Sequence, residues 1–306
     1  MIPGCVEAGR INGPLNFGAQ GARGDEALPP IVAFVHIQKT AGTSMKFILK
    51  NSFGSGHCDV NAVDSTAGAP FGQEDLKFVR RICPWLRSVS GHEIIEPTRH
   101  LGERVMPYTM LRDPVARMIS HFQDKKVRGH KPIELDDFLR DTDNHNFQVR
   151  KIAGEPDLQK ACDLLAQRYF FVGLTERFDL SMKVFQSLFP YPVNRRYRVQ
   201  HIAKDNRIRQ GIESNPESIE RMVEANQLDA GLYSFVDKQL FPALIEKAGL
   251  SDMDVLPTVA EIRSPAVKYI ASRVFHKLVY RTLLKRERRK SLRLENDSKL
   301  SGPGPK

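Results

Sequence analysis

Residues 31–51 read IVAFVHIQKTAGTSMKFILKN, and the change of character near Gln38 decides the fold. The first six residues, IVAFVH, are apolar and largely β-branched, as in a strand buried on both faces. A short turn follows, and from Thr43 to about Asn51 the apolar positions recur at helical spacing. The unit is strand, tight loop, helix. A helix start carries free N–H groups and a positive dipole end, so such a loop is a seat for an anion. Lys39 heads the loop, and Thr40, Ala41, Gly42, Thr43 and Ser44 offer small side chains and backbone N–H groups to a phosphate-sized group. The ordinary ATP-binding loop GxxxxGK[ST] is absent. With Lys39 and Thr40 in its last two places it would need glycines at 33 and 38, where the chain has Ala33 and Gln38. As a local pattern alone, a surface lysine before a Ser/Thr-capped helix fits equally well.

The same unit recurs downstream. VMPYTMLR (105–112) reads as a strand despite Pro107, and DPVARMISHFQDKKVRG (113–129) as a helix with Asp113 as its N-cap and Pro114 at its first position. Arg112 closes that strand and Ser120 lies about two turns into the helix, so a guanidinium and a hydroxyl converge on a second anion. Asp113 and Pro114 by themselves are helix punctuation. Elsewhere, DLKFVRRIC reads as a helix and LRSVSGH as a short strand, while 52–74, rich in Gly, Ser, Ala and Asp, is expected to be irregular. Helical patterns occupy roughly 134–140, 145–153 and 157–167. RYFFVG returns to strand and ERFDLSMKVFQSLF to helix, 216–249 holds two helices, and 265–293 is a long basic helix. Strands alternating with helices predict an α/β domain on a central parallel sheet, with ligands beyond the carboxyl ends of the strands. Two anion seats there suggest a ligand with phosphate groups at both ends.

The 306 residues, 41% of them apolar, suffice for one large core. The four cysteines are scattered, without zinc-finger or CxxC spacing, so no structural metal or disulfide framework is expected and a reducing compartment fits. Residues 1–30 read as a flexible Gly/Ala/Pro leader without signal-peptide order, and no apolar run reaches the ~18 residues of a membrane span. The net charge of +10 is not a nucleic-acid footprint: residues 263–306 hold 13 Lys and Arg against 3 Asp and Glu, leaving 33 of each sign in the rest. The expected organisation is therefore a leader, a domain over 31–262, and a basic helix and tail over 263–306.

HIQKTAGTS followed by LRDPVARMISHF resembles the 5′-phosphosulfate and 3′-phosphate loops of enzymes that use 3′-phosphoadenosine 5′-phosphosulfate (PAPS). The likeness is to the carbohydrate sulfotransferases of the heparan-sulfate 2-O/6-O type and their bacterial relatives. It extends through SVSGHEI, NHNFQVRKIAG, FVGLTERFDLS and EANQLDAGLYSF, roughly residues 31–248. The resemblance implies a P-loop-kinase-like three-layer α/β fold, PAPS as co-substrate without a metal, and a hydroxyl acceptor on a carbohydrate. It assigns Lys39, Thr40, Ala41, Gly42, Thr43 and Ser44 to the 5′-phosphosulfate and Arg112 and Ser120 to the 3′-phosphate.

The resemblance makes His92, in SVSGHEI, the catalytic base beside Lys39, since an imidazole titrating near neutrality suits proton removal from a hydroxyl. Glu93 is the alternative base, and a lone histidine after a strand is also commonly structural. The heparan-type enzymes carry a further histidine two places earlier, where this chain has Ser90. Thr175 either touches adenine or caps a helix; Asn146 and Arg150 match the family pattern without a derivable role. RRYRVQHIAKDNRIRQ (195–210) either closes over the cofactor or is a solvated loop. KLVYRTLLKRERRKSLRL (277–294) fits a helix lying on an anionic membrane, or one docking its apolar stripe on its own domain. A cytoplasmic enzyme, peripheral to the inner membrane face, is the expected setting. The rival readings are a small-molecule or nucleotide kinase of similar architecture and an idle nucleotide-binding module docked on membranes.

Overall fold

A computed structural model describes residues 30–64, 66, 68–102, 105–129, 132–194, 206–251 and 267–300. The expected leader, most of the cation-rich stretch at 195–210 and the expected boundary at 262/263 lie outside the described residues. In chain order the elements are β1 (Ile31–Val35), α1 (Gly42–Phe53), β2 (His57–Asp59), α2 (Gln73–Ile82), β3 (Ser88–Gly91), α3 (Pro97–His100), β4 (Val105–Leu111) and α4 (Pro114–Arg128). There follow α5 (Leu135–Arg140), α6 (Phe147–Ala153), α7 (Leu158–Gln167), β5 (Phe171–Leu174), α8 (Phe178–Leu188), α9 (Arg207–Glu213), α10 (Pro216–Ala225) and α11 (Gln227–Phe235). A π-turn at Val236–Leu240 carries α11 on into α12 (Phe241–Lys247), and another at Phe275–Tyr280 joins α13 (Val267–Val274) to α14 (Arg281–Leu300).

The five strands form one sheet in the order β2-β3-β1-β4-β5, every pair parallel. The chain is thus α/β with a central parallel sheet flanked by helices, as expected. All five residues of β1 and all seven of β4 are buried, because these strands have a neighbour on each side and helices over their faces. Pro107 is tolerated within β4 because its carbonyl faces the β5 side. There it accepts the Phe170 N–H at 3.1 Å, just ahead of the start of β5, so the missing N–H falls at the end of a ladder. After β1 the chain leaves toward β2, and after β4 toward β5. The adjacent carboxyl ends of β1 and β4 therefore form the crevice where connections part in opposite directions, the usual ligand position in such sheets.

Two local expectations change. The stretch 52–74 is not wholly irregular: His57–Asp59 forms the edge strand β2, in register with Ser88–Ser90. Three residues carry no periodicity, so only this pairing reveals the strand. The first helix begins at Gly42 rather than Thr43, with Ala41 as its N-cap in the left-handed region. A satellite core of Met118, Phe122, Phe138, Ile212 and Met222 seats α9 and α10 against α4 and α5. No described helix is long and apolar enough to cross a membrane.

The basic C-terminal helix packs on the body. Tyr280 is fully buried and Leu284 nearly so. The Tyr280 hydroxyl accepts the Asn61 N–H at 2.8 Å and donates to the Asn61 carbonyl at 3.1 Å, and His276 Nε2 donates to the Asp59 carbonyl at 2.9 Å.

Candidate active site

At the carboxyl ends of β1 and β4 lies a cavity of about 490 Å³. Of the residues assigned above to catalysis and to the two anion seats, Lys39, Ala41, Gly42, Thr43, Ser44, His92, Arg112 and Ser120 line it, and so does Thr175. Thr40 does not. Its buried hydroxyl donates to the Ile37 carbonyl at 3.0 Å, so this side chain closes the turn and faces no ligand.

The β1–α1 loop is shaped by left-handed backbone at two non-glycine residues, Lys39 (φ 69°) and Ala41 (φ 60°). A left-handed residue followed by a helical one turns successive N–H groups to one side, which makes a concavity for an anion. Holding such residues costs about 1 kcal/mol or more each, a cost commonly met at functional loops. Gly42 is required by contact: a Cβ there would sit 1.8 Å from His36 Nε2. The second seat is braced from three directions. Arg112 donates from Nη1 to the Lys39 carbonyl at 3.2 Å, which ties the two seats together, and its Nε lies 3.9 Å from Glu176 Oε1. The Gln148 amide brackets the Arg112 backbone, accepting its N–H at 3.0 Å and donating to its carbonyl at 2.9 Å.

His92 follows the end of β3, the strand on the other side of β1 from β4, and its ring stacks on His36 with centroids 4.0 Å apart. Its Nδ1 lies 3.1 Å from the His36 carbonyl, which can only accept, so Nδ1 carries the proton and Nε2 keeps a lone pair. Burial, helped by the nearby Lys46 charge, pushes the His92 pKa down to about 4. The imidazole is therefore neutral throughout the physiological range, and the expected titration near 6.5 is corrected downward. Glu93 is not among the cavity's lining residues. Its carboxylate accepts the Asn61 side-chain amide at 3.3 Å and the Ala62 N–H, so it anchors the segment after β2. At position 90 the Ser90 hydroxyl donates to Asp59 Oδ1 at 2.6 Å, and the histidine beside His92 comes from the end of β1 instead.

Several cavity residues escaped the sequence reading. Asp124 meets Lys39 Nζ at 3.4 Å and Arg128 at 3.3 Å, so the seat lysine is held by an internal carboxylate. Ser120, Asp124 and Arg128 are spaced four apart on α4, as are His121 and Lys125, and all line the cavity. That i, i+4 row continuing from Ser120 was the available signal. Burial and the charges of Arg117, Lys125 and Lys39 push His121 down to about 3, so it too is neutral.

Two motif residues prove structural. Asn146 Oδ1 accepts the N–H of Leu228 at 2.9 Å and of Asp229 at 3.3 Å, while the Asp229 carboxylate accepts the N–H of Gln148 and Val149 at 3.0 and 2.8 Å. The starts of α6 and α11 thus cap each other. Arg150 donates to the Thr142 carbonyl at 2.9 Å and pairs with Asp143 at 3.3 Å. Thr175 donates to the Leu111 carbonyl at 2.9 Å while lining the cavity. Among the described residues no group of three or more His, Cys, Asp or Glu is arranged to hold a metal ion.

No curated protein matches the chain significantly. Residues 31–236, which hold the sheet, both strand-to-helix seats and His92, match the model of the sulfotransferase family, and the chain belongs to that family.

Proposed function

We propose that this sulfotransferase takes the sulfuryl group from PAPS and passes it to a hydroxyl on a carbohydrate. The observation that carries the reading is the single cavity joining a phosphate-sized loop seat, an arginine–serine seat and a neutral histidine with a free lone pair. The loop at Lys39–Ser44 fits the 5′-phosphosulfate of the donor. Arg112 and Ser120 fit its 3′-phosphate, the feature that separates this donor from ATP. The carbohydrate acceptor rests on the resemblance of both motifs to carbohydrate sulfotransferases.

In the proposed step His92 Nε2 removes the acceptor hydroxyl proton as the oxygen attacks sulfur, and the bond between sulfur and the bridging oxygen breaks. The electron pair leaves on the nucleotide phosphate. Lys39, released from Asp124, and the loop N–H groups meet the charge growing there. The His36 carbonyl holds the His92 ring in the tautomer that can accept the proton.

Calorimetry with two nucleotides tests the assignment. Arg112→Ala is expected to weaken binding of 3′,5′-adenosine bisphosphate by about 1.5–3 kcal/mol. Adenosine 5′-phosphosulfate, which lacks the 3′-phosphate, should lose much less, only what the brace from Arg112 to the Lys39 carbonyl contributes. Equal losses for the two would place Arg112 elsewhere, and sulfate incorporation into a panel of saccharides tests the acceptor class.

A further inference from the structure

The C-terminal helix has one side on the body and an apolar stripe on the other. Ser272, His276, Tyr280 and Leu284 face the body. On the other side Val267, Ile270, Val274 and Leu278 follow one another at three- and four-residue spacing, and they are 83%, 52%, 49% and 63% exposed. This outward stripe is therefore not explained by docking of the helix on its own domain. Beside it stands Trp85, 54% exposed, its ring 6.5 Å from that of Phe275. The helix itself carries only positive charge along this stretch: Arg273, Lys277, Arg281 and Lys285 are exposed, and the sequence from Arg263 to Arg286 contains no Asp or Glu.

We propose that this face docks on an anionic lipid bilayer. A row of aliphatic side chains with a basic margin and a flanking tryptophan has the composition of a helix lying in the interface plane, its apolar residues among the acyl chains and its cations at the headgroups. Charge complementarity selects this occupant. Lysine and arginine near an anionic leaflet each add to binding, whereas a second copy of the chain would set the same cations against each other. The helix is seated on α1 along Val267–Val274, and the π-turn that follows, Phe275–Tyr280, carries Leu278 of the stripe and ends on Tyr280, which closes on Asn61. Docking along the stripe would lay the face opposite Tyr280 on the membrane without unseating the helix.

Vesicle binding of the full chain tests this. Vesicles of phosphatidylcholine with one part in three phosphatidylglycerol are compared with pure phosphatidylcholine, by sedimentation and by the emission of Trp85, the only tryptophan in the chain. The wild type should sediment with the anionic vesicles, shift its emission to shorter wavelength, and lose most of the binding at high salt. The triple variant Ile270→Ser, Val274→Ser, Leu278→Ser and the double variant Arg273→Glu, Lys277→Glu should each reduce partitioning by about tenfold or more. Circular dichroism verifies folding, and the charge reversal decides the matter should the triple variant misfold. Failure of the wild type to bind anionic vesicles overturns the proposal, as does undiminished binding by a folded variant. A wild-type dimer that the triple variant converts to a monomer, without vesicle binding, would make the stripe a contact between copies instead.

Discussion

At the scale of single residues, His92 shows how neighbours set chemistry. Burial disfavours the imidazolium and Lys46 adds to the effect, so the folded pKa falls to about 4. Only the neutral ring accepts a proton, so activity should fall as pH drops through about 4 and stay flat through neutrality on the acid side. A pH–rate profile checks this, and a limb near ~6.5, the ordinary imidazole value, would assign the base elsewhere. His92→Ala should lose the acid limb and lower turnover by about 10²–10⁴-fold with nucleotide affinity nearly unchanged, read from single-turnover rates and calorimetry. Titration linkage adds a stability effect of definite sign. A histidine whose folded pKa is depressed destabilises the fold when acid forces it to protonate, so His92, His36 and His121 together favour unfolding as pH falls below the unfolded value near ~6.5.

At the scale of elements, the mutual capping of α6 and α11 links a remote asparagine to Arg112 and the proposed nucleotide seat. Asn146 adopts φ 45°, which asparagine tolerates better than alanine, and its oxygen satisfies two N–H groups at the start of α11. Asn146→Ala should therefore cost about 2 kcal/mol in urea unfolding. The consequence reaches function through Gln148, whose amide brackets Arg112. With α6 less firmly held, affinity for 3′,5′-adenosine bisphosphate should fall along with stability. Unaltered stability would show that the reciprocal caps are redundant.

At the scale of the whole molecule, the C-terminal helix belongs to the core rather than to a separable tail. Removing 267–306 strips away Tyr280 and Leu284, each contributing about 1.5–3 kcal/mol by burial, and the bonds that hold Asn61 and the Asp59 carbonyl. A loss of about 5 kcal/mol or more is comparable with the entire stability of many domains. The truncated chain should be insoluble or melt well below the full-length protein in a thermal scan. Retention of the full-length Tm would mean that the helix adds nothing to the core. The effect should reach the site as well, because the segment that Tyr280 grips is also held by Glu93, next to His92.

The sequence by itself determined the two strand-loop-helix units, the parallel α/β class and most of the residues, from Lys39 to Ser120, that come together around the cavity. These are short-range properties: period, cap residues and a lysine or arginine at a strand end lie within a dozen residues of one another. Pro114 and the Asp113 cap, which accepts the Ala116 N–H at 2.8 Å, were legible for the same reason. Tertiary structure alone decided the rest. His92 Nδ1 meets a carbonyl 56 positions earlier, so its tautomer follows from β3 pairing with β1. Lys39 finds Asp124 only because β4 lies beside β1 and launches α4 across the crevice. Glu93 and Thr40 looked available to a ligand until the fold supplied them with internal partners. The strand at His57–Asp59 has no pattern of its own and exists through its ladder with β3. Local chemistry writes the period of a chain, whereas the partner of a polar atom and the side of a helix that remains exposed depend on which distant elements close around it.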